Sequence, residues 1–166
     1  LTEPFSFVVR GRVFTRPWLM KPGTPLPNPF GGQDQAKMNP GSLRAKLLKP
    51  AGPVDPQISF VSVQSAAGRP IALLANYSLH YVGGTTPATI SADYFALFAD
   101  RIQQLLGADR LDPPFVGIMS NGTSGDVNNN NYAAAGQKRA PFEKMRLVAD
   151  QAAEAFVPRD PAPTDG

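Results

Sequence analysis

Three consecutive stretches constrain this chain more than anything else in it: IALLANYSLH at 71–80, SADYFALFADRIQQLLG at 91–107 and FVGIM at 115–119. In the middle stretch Tyr94, Phe95, Leu97, Phe98, Ile102, Leu105 and Leu106 recur at helical spacing, so one helix face is apolar and has to be buried. Ser91 suits the N-cap, Asp93 the positive first turn and Gly107 the C-terminal stop. The two flanking runs are short and apolar, as buried strands are. A strand, a helix and a strand in that order favour a crossover connection and a parallel pair. Because IALLANYSLH is apolar on successive residues, it reads as a strand covered on both faces.

Other elements attach to this unit. ISFVSVQ at 58–64 alternates, and SAAGRP joins it to the apolar strand as a turn of hairpin length. FSFVVRGRVF at 5–14 has the composition of a further strand. Phe142, Met145, Val148, Ala149, Ala152 and Phe156 mark a second amphipathic helix over 141–156. Between 15 and 56 the chain is broken by nine of its 18 prolines. Such a segment is ordered only if something packs on it, and long structureless loops in compact domains tend to be functional or to face a partner. The expected fold is α/β, one domain over 1–166, with a mixed sheet, packed crossover helices and long irregular Pro/Gly-rich segments.

Composition removes several kinds of chemistry. With no cysteine there is no disulfide, thiol nucleophile or thiolate metal site, and with one histidine the chain cannot build a multi-histidine site alone. No apolar run approaches the roughly 20 residues needed to cross a bilayer, and LTEPFSFVVRGR lacks the layout of a signal peptide. A start without Met and an end in PRDPAPTDG suggest a processed or truncated piece of something longer. The net charge of +3 is uneven, since residues 1–50 hold eight Lys/Arg against Glu3 and Asp34. These cations lie among prolines without interleaved aromatics, which favours a solvated face over a nucleic-acid surface.

Ligand sites in such sheets form beyond the carboxyl ends of strands, and two strand ends here carry polar groups. One is NYSLHYVGG, where His80 precedes a Gly83-Gly84 turn; the other is SNGTSGDVNNNN at 120–131. His80 reads either as a hydrogen-bonded structural residue or as a ligand or acid/base, with Asp93 a candidate to accept its second N–H. In the second stretch Gly122 and Gly125 permit tight turns, while Ser120, Asn121, Thr123, Ser124, Asp126 and Asn128 supply short donors and acceptors. An oxyanion would fit there. A turn whose Asn and Asp side chains satisfy their own backbone fits equally well. Neither GK[ST] nor GxSxG is present, so the stretch is not a phosphate loop or a nucleophile elbow.

Six motifs taken in order, WLMKPGT at 18–24, NPG at 39–41, PAGPVDP at 50–56, GRPIALLANYSLHYVGG at 68–84, ISADY at 90–94 and SNGTSGDVNN at 120–129, resemble the catalytic domain of the neutral/alkaline non-lysosomal ceramidase family. The resemblance is to bacterial members of undefined substrate and runs over 13–132. It implies a zinc-dependent amidase that cleaves N-acylsphingosine into fatty acid and sphingoid base, zinc bringing the pKa of its bound water to about 7. It places a metal-binding histidine on His80, in the N-x-x-x-H context of Asn76. The remaining ligands come in that family from an upstream His- and Thr-rich segment and a downstream Glu and Tyr, none of which this chain contains. The chain therefore reads as an internal portion of a larger catalytic domain.

The resemblance also makes 121–129 the loop at the scissile group, with Thr123, Asp126 and Asn128 as catalytic candidates and Asn121, Gly122, Ser124, Gly125 and Asn129 as substrate-binding ones. Ceramidases place a catalytic serine after the G-D-V-like triplet; here Asn128 follows Gly125, Asp126 and Val127. An asparagine orients a carbonyl or donates to an oxyanion but is no hydroxyl nucleophile. The implied substrate is a small molecule or lipid, with membrane-surface association, an extracytoplasmic location and no nucleic-acid partner. Two rivals stand beside this reading: a non-catalytic homologue or binding module with His80 structural, and a binder of anionic surfaces using the basic first third.

Overall fold

A computed structural model describes residues 5–8, as backbone, and 13–156. Strand β1 (Phe5–Val8) is followed by β2 (Phe14–Thr15), β3 (Pro17–Met20), β4 (Ala36–Met38), a 3-10 helix (Gly41–Lys46), β5 (Leu47–Pro50), β6 (Gln57–Gln64) and β7 (Pro70–Tyr77). Helix α1 (Asp93–Leu105), β8 (Val116–Asn121), β9 (Val127–Asn128) and α2 (Glu143–Glu154) complete the described chain. The architecture is α/β, with a mixed four-stranded sheet ordered β1-β6-β7-β8. β6 and β7 form the antiparallel hairpin, while β7 and β8 pair in parallel, Leu74 opposite Ile118 and Tyr77 opposite Asn121. FSFVVRGRVF divides into β1 and β2; its residues 9–12 lie outside the described ones.

Both helices lie on one side of this sheet. Tyr94, Phe98 and Ile102 of α1 and Met145, Ala149, Ala152 and Ala153 of α2 share one buried cluster with Ile58, Leu73, Ala75, Tyr77 and Met119 of the strands. Burying an aromatic side chain such as Phe98 stabilises the fold by about 1.5–3 kcal/mol relative to leaving it in water. α1 ends as its sequence dictates: Gly107 adopts φ +63, its N–H donates to the Gln104 carbonyl, and the Ala108 N–H reaches the Gln103 carbonyl at 2.7 Å. A glycine tolerates that left-handed turn without steric cost.

Two expectations need correction. First, β7 is not covered on both faces. Leu74, Val116 and Ile118 are about half exposed (46%, 50% and 46%) on the side away from the helices. Apolar residues on both faces mean two coverings only if two layers are present, and among the described residues both helices pack on the same face. Second, Ser91 is not the N-cap. Ala92 stands at that position without a side-chain bond, and the Ser91 hydroxyl instead accepts the Asp93 N–H at 3.0 Å.

The proline-rich segment 15–56, expected to be ordered only if something packs on it, does have such packing. It forms a three-stranded sheet, β4-β3-β5, and Trp18, Met20 and Leu26 make a second small core against Leu43, Leu47 and Tyr132. Its prolines sit where a missing N–H costs little: Pro17 opens β3, Pro50 closes β5 and Pro40 precedes the 3-10 helix.

Candidate functional site

The parallel pairing of β7 with β8 brings the two polar strand ends side by side. Asn76 donates through its side-chain N–H to the Ser120 hydroxyl at 2.9 Å, and that hydroxyl donates to the Ala75 carbonyl at 3.1 Å. Beyond the strands, the Gly122 N–H donates to the Tyr77 carbonyl at 3.0 Å, and the His80 N–H donates to the Val127 carbonyl at 3.2 Å. The segment carrying His80 and the loop 121–128 are thus stitched together by backbone bonds. At Gly122 there is no room for a side chain, since an added Cβ would stand 2.5 Å from the Ser78 hydroxyl and 3.0 Å from the Asn76 side-chain oxygen.

His80 is half-buried, its ring tilted against that of Tyr81 at a centroid distance of 4.0 Å. Its Nδ1 lies 3.2 Å from the Tyr81 carbonyl. A carbonyl only accepts, so Nδ1 faces it as the donor, and in a neutral ring that leaves Nε2 as the acceptor. Nε2 has no hydrogen-bond partner among the described residues.

Asp93 does not hold His80, contrary to the sequence expectation. Its carboxylate accepts three backbone N–H bonds, from Val82, Gly83 and Tyr94, each at 2.8 Å. Asp93 itself adopts φ 54, a conformation that Asp reaches more readily than most residues. The Tyr94 bond satisfies one N–H of the α1 N-terminus, and the bonds together hold a negative charge where the helix dipole favours it. They also pin the turn that follows His80. The Gly84 carbonyl next accepts the Phe142 N–H at 2.9 Å, tying that turn to the start of α2.

Below this strap lies Tyr94, fully buried, whose hydroxyl donates to the Leu79 carbonyl at 3.0 Å. Burial, and then the charges of Tyr77 and Asp93, push its phenol far above the ordinary value of 10.0. Stability resting on the protonated phenol is complete below that unfolded value and is lost as pH rises beyond it, since the unfolded phenol then releases a proton that the folded one keeps. Tyr94→Phe is therefore expected to cost about 1–2 kcal/mol at neutral pH, through the unpaired carbonyl. Above pH 10.0 the variant should lose stability less steeply than the parent. Urea unfolding at the two pH values checks both, and parallel alkaline limbs would refute the second.

The loop residues divide into two groups. Thr123, Asp126, Gly125 and Asn121 are exposed, while Ser124 and Asn128 are buried and Gly122 and Asn129 half-buried. Asn128 is not the free donor expected of it. Its Oδ1 accepts the Asn130 N–H at 2.8 Å, and its Nδ2 faces the Tyr132 hydroxyl at 3.2 Å and the Asn39 side-chain oxygen at 3.5 Å. Both ends of the amide are committed within the fold, leaving it no free N–H to offer a reacting oxygen. Asn131 likewise turns back on its own backbone, accepting the Ala133 N–H at 3.0 Å, so part of the asparagine run is turn chemistry.

Sequence reasoning missed Arg16 and Asn39. Arg16 reads as one of many solvated cations, yet its guanidinium donates to the Gly125 carbonyl at 2.8 Å and to the Asn39 side chain at 3.1 Å, and its backbone N–H to the Asp126 carbonyl at 2.7 Å. Asn39 accepts the Tyr132 hydroxyl at 3.0 Å from a backbone at φ 51. The only signal was the NPG motif itself, since an asparagine tolerates that φ.

A zinc site needs about four ligands, and no group of three or more His, Cys, Asp or Glu is placed to hold a metal among the described residues. The donors present do not by themselves fit the ion; His80 is a single available nitrogen. No helix among the described residues is long and apolar enough to cross a membrane.

No protein-family model matches the chain, and no curated protein matches it. Solved structures do. The chain is similar in fold to the neutral ceramidase from Pseudomonas aeruginosa, at 16% identity and a TM-score of 0.56 over 90% of this chain and 21% of that one. It is similar also to a ceramidase complexed with C2, at 18% identity and a TM-score of 0.57 over 92% of this chain and 21% of that one. The chain spans about a fifth of the length of these structures.

Proposed function

We propose that this chain is an internal portion of a ceramidase-like zinc-dependent hydrolase that acts on a linear amide, an N-acyl lipid such as ceramide or a related amide or ester. The observation that carries the reading is His80: an imidazole just past the end of a central strand, its Nδ1 facing a carbonyl and its Nε2 without a partner among the described residues. That is the preparation a metal-ligating histidine requires. The shared fold with ceramidases supports it. So does the open apolar face of Leu74, Val116 and Ile118, which further chain of the same domain would cover. The other metal ligands then come from outside these 166 residues.

Within the chain, the role left for 121–126 is to receive the reacting group beside His80. Asn121, Thr123 and Asp126 are its exposed polar side chains, suited to orienting an amide or ester. Asn128 supports the loop from beneath, and no hydroxyl occupies the position of the family's serine. Such a substrate would place the protein at a membrane surface, in an extracytoplasmic setting.

Metal analysis of the full-length protein tests this. About one zinc per chain is expected, retained in Thr123→Ala and lost in His80→Ala, with circular dichroism of both variants matching the parent. A folded full-length protein that takes up no zinc, or that keeps it in His80→Ala, would favour the binding-module reading, in which His80 is structural.

A further inference from the structure

On the far side of the asparagine run lies a cavity of about 480 Å3, walled by Phe14, Leu147 and Val148 and carrying Arg44, Arg139 and Lys144. The three cations come from a 3-10 helix, a loop and the first turn of α2, with Arg44 about a hundred residues before the other two in sequence. No acidic residue lines the cavity. Arg139 is paired with Glu143 at 2.8 Å, but Arg44 and Lys144 have no carboxylate within 4.0 Å among the described residues. Neutral oxygens hold them instead, the Ala133 carbonyl at 3.1 Å from Arg44 and the Asn130 side chain against Lys144. The pocket therefore carries an excess of two positive charges. Burial, and then the charge of Arg139, pull Lys144 below the ordinary ammonium range, and a counter-charge there would offset both the lost solvation and the like charge.

We propose that this pocket binds the phosphate group of a monoester. A phosphate carries close to two negative charges at neutral pH, which matches the excess, and guanidinium forks suit its oxygens. Its volume and apolar wall leave space for an organic substituent on the ester. Arg44, assigned from sequence to a solvated face, is on this view a binding residue. The inference is independent of the role of His80.

Isothermal titration of the full-length protein tests it with three probes: inorganic phosphate, phenyl phosphate, and phosphatidylcholine vesicles with and without phosphatidic acid. Saturable binding of phenyl phosphate is expected, weakened at least about tenfold by Arg44→Gln/Lys144→Gln and unchanged by Lys49→Gln. Binding of phenyl phosphate identifies a soluble ester as the ligand source; binding confined to phosphatidic acid vesicles, with the same loss in the double variant, identifies a lipid headgroup. Absence of saturable binding to any probe, binding of inorganic phosphate alone, or equal loss in Lys49→Gln would overturn the proposal. A thermal midpoint raised by phenyl phosphate in the parent and unmoved by it in the folded double variant guards against loss through misfolding.

Discussion

Replacing Asp93 by Ala is expected to lower stability by on the order of 3 kcal/mol, because three backbone N–H groups lose one charged acceptor at once. Val82, Gly83 and Tyr94 all donate to that carboxylate. Ala at φ 54 adds the strain of a left-handed backbone, about 1 kcal/mol. Water reaches part of the turn and recovers some of the loss, which is why the figure is less than the sum of three separate bonds. Asp93→Asn keeps one oxygen and tolerates the backbone, so it should recover roughly half. Urea unfolding measures the loss, and hydrogen exchange at the Val82 and Gly83 amides locates it. A loss below about 1 kcal/mol would mean the carboxylate is not holding the turn.

The same substitution separates two roles for Asp93. If it oriented His80, Asp93→Ala and His80→Ala would be coupled. With its oxygens committed to Val82, Gly83 and Tyr94, the two losses should add to within about 0.5 kcal/mol. A larger interaction energy would restore the pairing that the sequence suggested.

The elements legible in the sequence were those that announce themselves within one stretch. α1 was visible because its apolar stripe and Gly107 lie within a single run, and the parallel pairing of β7 and β8 followed from the helix between them. The three-stranded sheet within 15–56 was not legible, since PWLM, AKM and LLKP are too short to alternate and owe their pairing to Trp18, Met20 and Leu26 packing together. In the site, the neighbourhood of His80 and 121–128 could be anticipated from strand order. The commitments of individual side chains could not. Asp93 satisfies amides rather than an imidazole, Asn128 bonds to residues 39 and 132, and Arg16 reaches Gly125 across 109 positions. Each is a contact between segments distant in sequence or a competition among several nearby acceptors, and spacing carries no record of either.

Gly122→Ala should cost about 1–3 kcal/mol, the range for forcing atoms into a filled site. The cause is space rather than backbone freedom. Gly122 is not among the glycines at positive φ, and its missing Cβ is where the Ser78 hydroxyl already stands, at 2.5 Å. Ser78 is buried, and its Cα lies 3.3 Å from the same point, so the hydroxyl cannot simply swing into solvent. Relief requires the end of β7 to move away from the end of β8, which lengthens the bond from the Gly122 N–H to the Tyr77 carbonyl and carries His80 away from Val127. Ser78→Ala alone removes only a long contact to Asp55 at 3.5 Å and should cost less than about 1 kcal/mol. In the double variant the closest clash is gone, so the combined loss should fall short of the sum by about 1 kcal/mol. Additive losses in urea unfolding would count against a steric role. Hydrogen exchange at the His80 amide, which donates to the Val127 carbonyl, should quicken in Gly122→Ala and slow again in the double variant, because what the glycine protects is the closeness of two strand ends.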